Sequence, residues 1–128
     1  MPATKKQPTR KPARRSKKED GEKAVVEKIA SWAPKDRATG KRLHAIVRDK
    51  APDLTPRLWY GMPAYSKDGR VVLFFRDRAK FKERYMTLGF NDAANIDDGV
   101  VWPIVFAIAE LDDKGEAKIA RLVKKAVS

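Results

Sequence analysis

Cysteine is absent from the 128-residue chain, and histidine occurs only once, at His44. Without thiols the chain cannot form a disulfide, a zinc–thiolate site or a thiol nucleophile. A single histidine with no second nitrogen ligand close in sequence is more typical of a residue at the core boundary than of a base or a metal ligand. We therefore expect His44 to lie at the boundary of the core.

Motifs that would indicate an enzyme are also missing. The sequence contains no nucleophile elbow, phosphate-cradling glycine loop, His-Glu-x-x-His motif or dinucleotide fingerprint. Ser31, Ser66 and Ser128 lack a recognisable partner base. These absences predict a non-enzymatic protein that needs no cofactor.

Long apolar runs are absent as well. No run approaches the ~20 residues that a helix needs to span a bilayer, and the N-terminus lacks the apolar segment of a secretory signal. We therefore expect a cytoplasmic protein with no membrane partner. The sequence does not indicate an oligomeric state.

Positive charge is abundant and unevenly placed. Eight of the twelve net positive charges lie within residues 1–18, where there is no acidic or aromatic residue and three of the eight prolines occur. Such a segment cannot offset the entropy of ordering by burying apolar surface. We predict a disordered basic arm over residues 1–18 and one folded domain over residues 19–128.

The composition of this arm predicts association with nucleic acid or another polyanion. Lysine and arginine neutralise phosphates, and without aromatic side chains to stack on bases the binding would depend only weakly on base sequence. The alternative is a tail that only aids solubility. The predicted contact residues are Lys5, Lys6, Arg10, Lys11, Arg14, Arg15, Lys17 and Lys18.

Helical periodicity marks three segments. A capping box at residues 16–19 predicts a first helix that begins at Ser16 and stops at Pro34. A second helix is predicted over residues 36–50, and a third from Asp113, with Ile119, Leu122, Val123 and Ala126 on its apolar face.

Between the second and third helices the pattern is that of short strands. Asp68-Gly69 suits a tight hairpin turn. Residues 70–76 are apolar on both faces, with Val71, Leu73 and Phe75 on one and Val72 and Phe74 on the other, which predicts a central strand. We place strands near residues 57–60, 64–66, 70–76, 84–90 and 100–107.

The stretch Leu58-Trp59-Tyr60-Gly61-Met62-Pro63-Ala64-Tyr65 marks the change from helical to extended structure. With the run at residues 85–90, Asp97-Asp98-Gly99, Trp102-Pro103 and the closing helix, it resembles the YdhG-like family of small bacterial domains of unknown function. The resemblance covers roughly residues 20–128 and implies an α+β domain with a frataxin-like layout. Pattern and resemblance together predict a two-layer sandwich, in which an antiparallel sheet of about five strands packs with two N-terminal helices and one C-terminal helix.

The frataxin-like layout suggests iron handling as an alternative function, because part of that wider group is linked to iron. Carboxylates of the acidic loop at residues 91–99 are hard oxygen ligands, and the candidates are Asp92, Asp97 and Asp98. Their spacing matches no EF-hand, and aspartates also serve as ordinary turn residues.

A small-molecule site is the second alternative. Aromatic side chains in a two-layer fold can line an apolar cleft, with tyrosine hydroxyls as the orienting polar groups. Ordinary packing in the core is the other interpretation, since aromatic residues favour strands. The predicted lining residues are Trp59, Tyr60, Met62, Tyr65, Tyr85 and Trp102.

Overall fold

The computed structural model describes residues 12–128, with side chains described from residue 18 onward. Within these residues it contains three helices and one five-stranded antiparallel sheet, which confirms the predicted two-layer α+β sandwich. In chain order the elements are α1 (Pro12–Ala30), α2 (Pro34–Lys50), β1 (Thr55–Trp59), β2 (Met62–Lys67), β3 (Arg70–Arg76), β4 (Met86–Phe90), β5 (Val105–Ile108) and α3 (Asp113–Ala126).

Helix α1 begins earlier than its capping box predicted. The backbone is helical from Pro12, so Ser16 lies inside the helix, and its prediction as the N-cap was wrong. The predicted arm overlaps this helix over residues 12–18, and residues 1–11 lie outside the described residues. Val25 and Ile29 are buried, whereas Val26, next to Val25, is 47% exposed.

Helix α2 begins at Pro34, two residues before the predicted start. Proline suits the first helical position because its fixed φ matches the helix and its missing N–H would have had no partner there. Gly40 lets α2 approach α1 closely, since a Cβ at this position would lie 2.8 Å from the Trp32 ring and 2.9 Å from Ile29. No helix within residues 12–128 is long and apolar enough to cross a bilayer.

Helix α3 is capped by Asp112, whose side chain accepts a hydrogen bond from the Gly115 amide at 2.8 Å. Ile119, Val123 and Ala126 are buried, as the helical spacing predicted. Leu122 packs against the core from a partly buried position.

The sheet has the order β1-β2-β3-β4-β5, so each strand pairs with its neighbours in the chain. Two tight turns make the first hairpins. Tyr60 and Gly61 join β1 to β2, and Asp68 and Gly69 join β2 to β3; all four residues have positive φ, between 52° and 80°. This is the backbone pattern of the turns that match strand twist, and it confirms the hairpin predicted at Asp68-Gly69.

Strand β3 lies at the centre of the sheet, as predicted. The alternation of its side chains between the two faces of the sheet is interrupted. Tyr65 pairs with Leu73 and Ser66 pairs with Val71, so Val72 is left as a bulge residue. Val72 and Leu73 consequently both belong to the core. The prediction that Val72 shares a face with Phe74 was therefore wrong.

Strand β5 is shorter than predicted. It begins at Val105 rather than near residue 100, and Pro103 lies just before it, where a residue without an N–H interrupts no ladder. Strand β4 likewise begins at Met86 rather than at residue 84.

The core lies between the helices and one side of the sheet. Trp32, just after α1, meets Phe75 edge to face with ring centroids 6.0 Å apart, and Tyr65 stacks on Phe75 at the same separation. The sheet contributes the buried side chains Tyr65, Val72, Leu73, Phe75, Met86, Leu88, Phe90 and Ile108.

Candidate functional site

The side of the sheet that faces away from the helices is called the open face here. Its residues follow from the strand register, in which Arg57 pairs with Ala64, Ala64 with Phe74, Phe74 with Gly89, and Gly89 with Val105. Residues two positions along a strand share a face. The open face therefore also includes Trp59, Met62, Arg76, Thr87 and Ala107.

A strip of aromatic side chains crosses the open face. The Trp59 ring lies 5.3 Å from the Phe74 ring and 5.0 Å from the Tyr60 ring, measured between centroids. The Phe74 ring lies so close to Gly89 that any Cβ there would overlap it. Trp59 and Phe74 are half-buried, whereas Tyr60 is 77% exposed at the end of the strip.

The loop between β3 and β4, residues 77–85, adds a second exposed ring. Phe81 is 59% exposed, the Arg76 guanidinium lies 4.8 Å from its ring centroid, and Lys80 Nζ lies 5.7 Å away. Lys80 also approaches the β1–β2 turn, since a Cβ on Gly61 would lie 3.2 Å from its Nζ. The loop therefore places Phe81 and Lys80 at the same end of the sheet as Tyr60.

A buried ion pair fixes this loop. Asp36, 4% exposed in the first turn of α2, accepts a hydrogen bond from the Arg78 backbone amide at 2.8 Å and a second from the Arg78 guanidinium. The same guanidinium donates to the carbonyls of Ala109 and Arg84. Neither residue stands out in the sequence, because nothing in their local patterns distinguishes them from surface charges.

The six residues predicted to line a cleft do not meet at one place. Trp59, Tyr60 and Met62 belong to the open face or its edge, whereas Tyr65 points into the core on the other side. Tyr85 lies under the Arg84 guanidinium, 5.4 Å from it. Trp102 packs against the core from the loop before β5.

The three aspartates predicted as metal ligands are dispersed in the acidic loop. Asp92 pairs with Arg70 at 3.1 Å and its side chain is 97% exposed. Asp97 accepts a hydrogen bond from Lys125 through its backbone carbonyl, and Asp98 is exposed. Over the described part of the chain, no group of three or more His, Cys, Asp or Glu side chains could hold a metal ion.

His44 is half-buried and links the core to the surface. Its Nδ1 lies 2.7 Å from the Tyr65 hydroxyl and its Nε2 lies 2.9 Å from the Glu22 carboxylate, which also pairs with Arg48 at 3.3 Å. Burial, and secondly the Glu22 charge, raise the pKa of the Tyr65 phenol well above its ordinary value. The Glu22 carboxylate can only accept, so Nε2 donates to it, and in the neutral imidazole Nδ1 then accepts from the Tyr65 hydroxyl.

Most of the predicted basic arm cannot be placed against this site. Lys5, Lys6, Arg10 and Lys11 lie outside the described residues, and Arg14, Arg15 and Lys17 are described only as helical backbone. The Lys18 ammonium donates to the Pro52 carbonyl at 3.5 Å.

Comparison with known proteins adds no relative. No family model, curated protein or solved structure matches the chain. The resemblance to the YdhG-like family and the frataxin-like layout thus stays a prediction from sequence.

Proposed function

We propose that the protein is a non-enzymatic module that binds single-stranded nucleic acid. Bases stack on the aromatic strip of the open face, and phosphates contact the basic side chains around it. The observation that carries the proposal is the exposed pair Tyr60 and Phe81 at one end of the sheet, with Lys80 near Gly61 and Phe81 and with Arg76 over Phe81.

The aromatic residues favour single strands over duplexes. Every base has a π-face on which an aromatic ring can stack, and an unpaired base can turn that face towards a protein. In a duplex the faces are hidden between neighbouring pairs. Tyr60, Trp59 and Phe74 form a continuous strip of rings, so successive bases would find successive partners along it.

The charges around the strip favour a polyanion. Arg57 is exposed on the open face, and the loop carries exposed Lys80, Lys82 and Arg84. Glu83 of the same loop is already paired with Arg76 at 3.3 Å. The basic residues predicted for the arm would add sequence-independent attraction and a strong dependence on salt.

Fluorescence anisotropy of labelled oligonucleotides of about 12 nucleotides tests the stacking. The double variant Tyr60→Ala/Phe81→Ala is expected to weaken binding of single-stranded RNA or DNA at least tenfold, because each stacked base contributes about 1–3 kcal/mol. Tyr60→Phe keeps the ring and is expected to bind as the parent does. Val26→Ala removes an exposed apolar side chain from α1 and serves as the control.

A second variant separates the arm from the open face. Changing Lys5, Lys6, Arg10 and Lys11 to glutamine in the full chain is expected to reduce the salt slope by about 0.7 for each lost phosphate contact with a single strand. If only this variant weakens binding, the arm binds and the open face does not. Failure of the unaltered chain to bind any oligonucleotide at about 0.1 M salt would contradict the whole proposal.

A further inference from the structure

Strand β5 ends the sheet, and within the described residues its outer edge has no partner strand. The Phe90 amide donates to the Ile104 carbonyl at 2.8 Å, and ladder bonds alternate along an antiparallel pair. Phe106 and Ile108 therefore direct their backbone groups towards β4. Val105 and Ala107 direct theirs outward, so each offers an N–H and a C=O to another strand.

A groove of about 250 Å³ follows this edge between β5 and α3. Phe106, Ala107 and Ile108 all line it. Since successive strand residues point to opposite sides, a cavity that touches all three must run along the strand backbone. Leu111, Ile119 and Leu122 give its other wall an apolar part, and Glu110 and Lys118 also line the groove. Backbone groups beside an apolar groove are what an added strand requires.

The edge is the least charged part of a strongly basic chain. Residues 99–109 form the longest stretch without a charged residue, whereas the whole chain carries a net charge of +12. Among the residues whose side chains are described, four of the seven exposed large apolar side chains lie here, and Val105 itself is 57% exposed; the four are Val100, Val101, Ile104 and Val105. Nothing in the strand itself, such as a lysine or a proline, opposes pairing with another strand.

The opposite edge of the sheet, formed by β1, is covered by a helix and carries a charge. Helix α1 lies so close to β1 that a Cβ on Gly21 would overlap the Pro56 carbonyl. Arg57 places a charge in the middle of the same strand. Strand β1 is therefore poorly suited to pairing.

We infer that β5 pairs with β5 of a second copy of this chain, antiparallel about a two-fold axis. Like-charged copies repel wherever their basic surfaces meet, so they associate best through a strand without charge, and β5 within the uncharged residues 99–109 offers such a strand on both copies. On the helix side of the added strand, the partly buried Phe106 of the second copy would face the groove, whereas its Ile108 stays in its own core. Residues 1–11 of the chain are no alternative occupant, since they are basic and lack alternating apolar side chains.

Pairing of this kind joins the two sheets edge to edge and sets the two open faces side by side. An isologous interface uses the same patch on both copies. A single uncharged strand can serve as that patch, because it can pair with its own copy. The inference does not depend on nucleic-acid binding and is tested without any oligonucleotide.

Sedimentation velocity of the full chain at about 0.15 M salt, over a wide concentration range, measures the association. Val105→Lys is expected to raise the Kd of the dimer at least tenfold, because it places like charges across the two-fold axis. Val26→Lys adds the same charge at an exposed valine on α1, 47% against 57% exposed, and is expected to leave the Kd within about twofold.

Amide hydrogen exchange gives a residue-level check. Protection of the Val105 and Ala107 amides is expected to rise with protein concentration, whereas Phe106 and Ile108 are already bonded to β4 and should not respond. A chain that remains monomeric at the highest concentration overturns the inference, as does an equal loss of association in both lysine variants. So does protection of Val105 only when an extended apolar peptide is added, which would assign the edge to a different protein.

Discussion

The carboxylate of Asp36 holds Arg78 by two atoms, the backbone amide at 2.8 Å and the guanidinium. This contact joins the first turn of α2 to the loop that carries Lys80 and Phe81. Because the Arg78 guanidinium also reaches the Ala109 carbonyl, it connects that loop to the segment after β5. The exposed ring of Phe81 is therefore presented from a loop with a fixed base.

Asp36→Ala is expected to lower the free energy of unfolding by about 2–4 kcal/mol, because the Arg78 amide loses its acceptor and the largely buried guanidinium loses its counter-charge. Chemical denaturation measures the change. Asp49→Ala, at a side chain that is 73% exposed on the same helix, should change stability by less than about 0.5 kcal/mol. Equal effects of the two substitutions would show that the Asp36 contact does not stabilise the fold.

Gly89→Ala is expected to cost about 1–3 kcal/mol, because its methyl group would displace the Phe74 ring. A double-mutant cycle with Phe74→Ala checks the cause. Once the ring is removed, the added methyl group should cost much less, so the two changes should be far from additive. Additive losses would mean that the strain at Gly89 arises elsewhere.

Tyr65→Phe is expected to destabilise the fold by about 1–2 kcal/mol at neutral pH, since His44 loses the hydroxyl that donates to it. Tyr60→Phe removes the same group from an exposed ring and should have no measurable effect.

The contribution of Tyr65 to the stability of the fold is also expected to change with pH in the alkaline range. Burial raises the pKa of the phenol, so the folded state keeps the proton that the unfolded state releases near pH 10. Stability from this group is fully present below pH ~10 and declines as the pH rises further. The difference in Tm between the parent and Tyr65→Phe should therefore narrow above pH ~10. A difference in Tm that stays constant would contradict this prediction.

A surface ion pair gives a prediction at acidic pH. Arg42 of α2 donates two hydrogen bonds to Glu116 of α3, and this contact lowers the pKa of the Glu116 carboxyl. A depressed pKa stabilises the fold above the ordinary glutamate range and loses that effect as the pH falls.

Glu116→Gln should accordingly lower Tm at pH 7, by no more than about 3 °C for so exposed a pair, and the difference from the parent should vanish as the pH falls well below ~4. Thermal unfolding followed by circular dichroism measures it. Glu110→Gln, just before α3, serves as the control and should leave the pH profile unchanged.

The elements were predictable where the cause is local. The Asp68-Gly69 turn, the central position of β3 and the buried face of α3 all follow from residue types at short spacing. The bulge at Val72 did not, because it depends on how β2 and β3 align rather than on either strand alone. The capping box at Ser16 failed because a favourable cap sequence is also compatible with a helix interior.

The candidate site needed the fold itself. Tyr60, Phe74 and Phe81 come from three separate segments, and only the hairpin register and the Asp36–Arg78 contact bring them to one face. The predicted cleft grouped aromatic residues by type and thereby mixed residues from both sides of the sheet. Tyr65 was predicted beside Tyr60, yet it lies in the core.

The sequential order of the strands has a consequence for how the chain folds. Pairing β1 to β2 and β2 to β3 closes loops of only two residues, and β3 to β4 closes the loop at residues 77–85. The connection from β4 to β5, residues 91–104, is the longest in the sheet, so its closure costs the most chain entropy. We therefore expect a low folding barrier for the pairing of the first four strands, and we expect β5 to pair after them. During synthesis, β5 would then be the last strand of the sheet to pair.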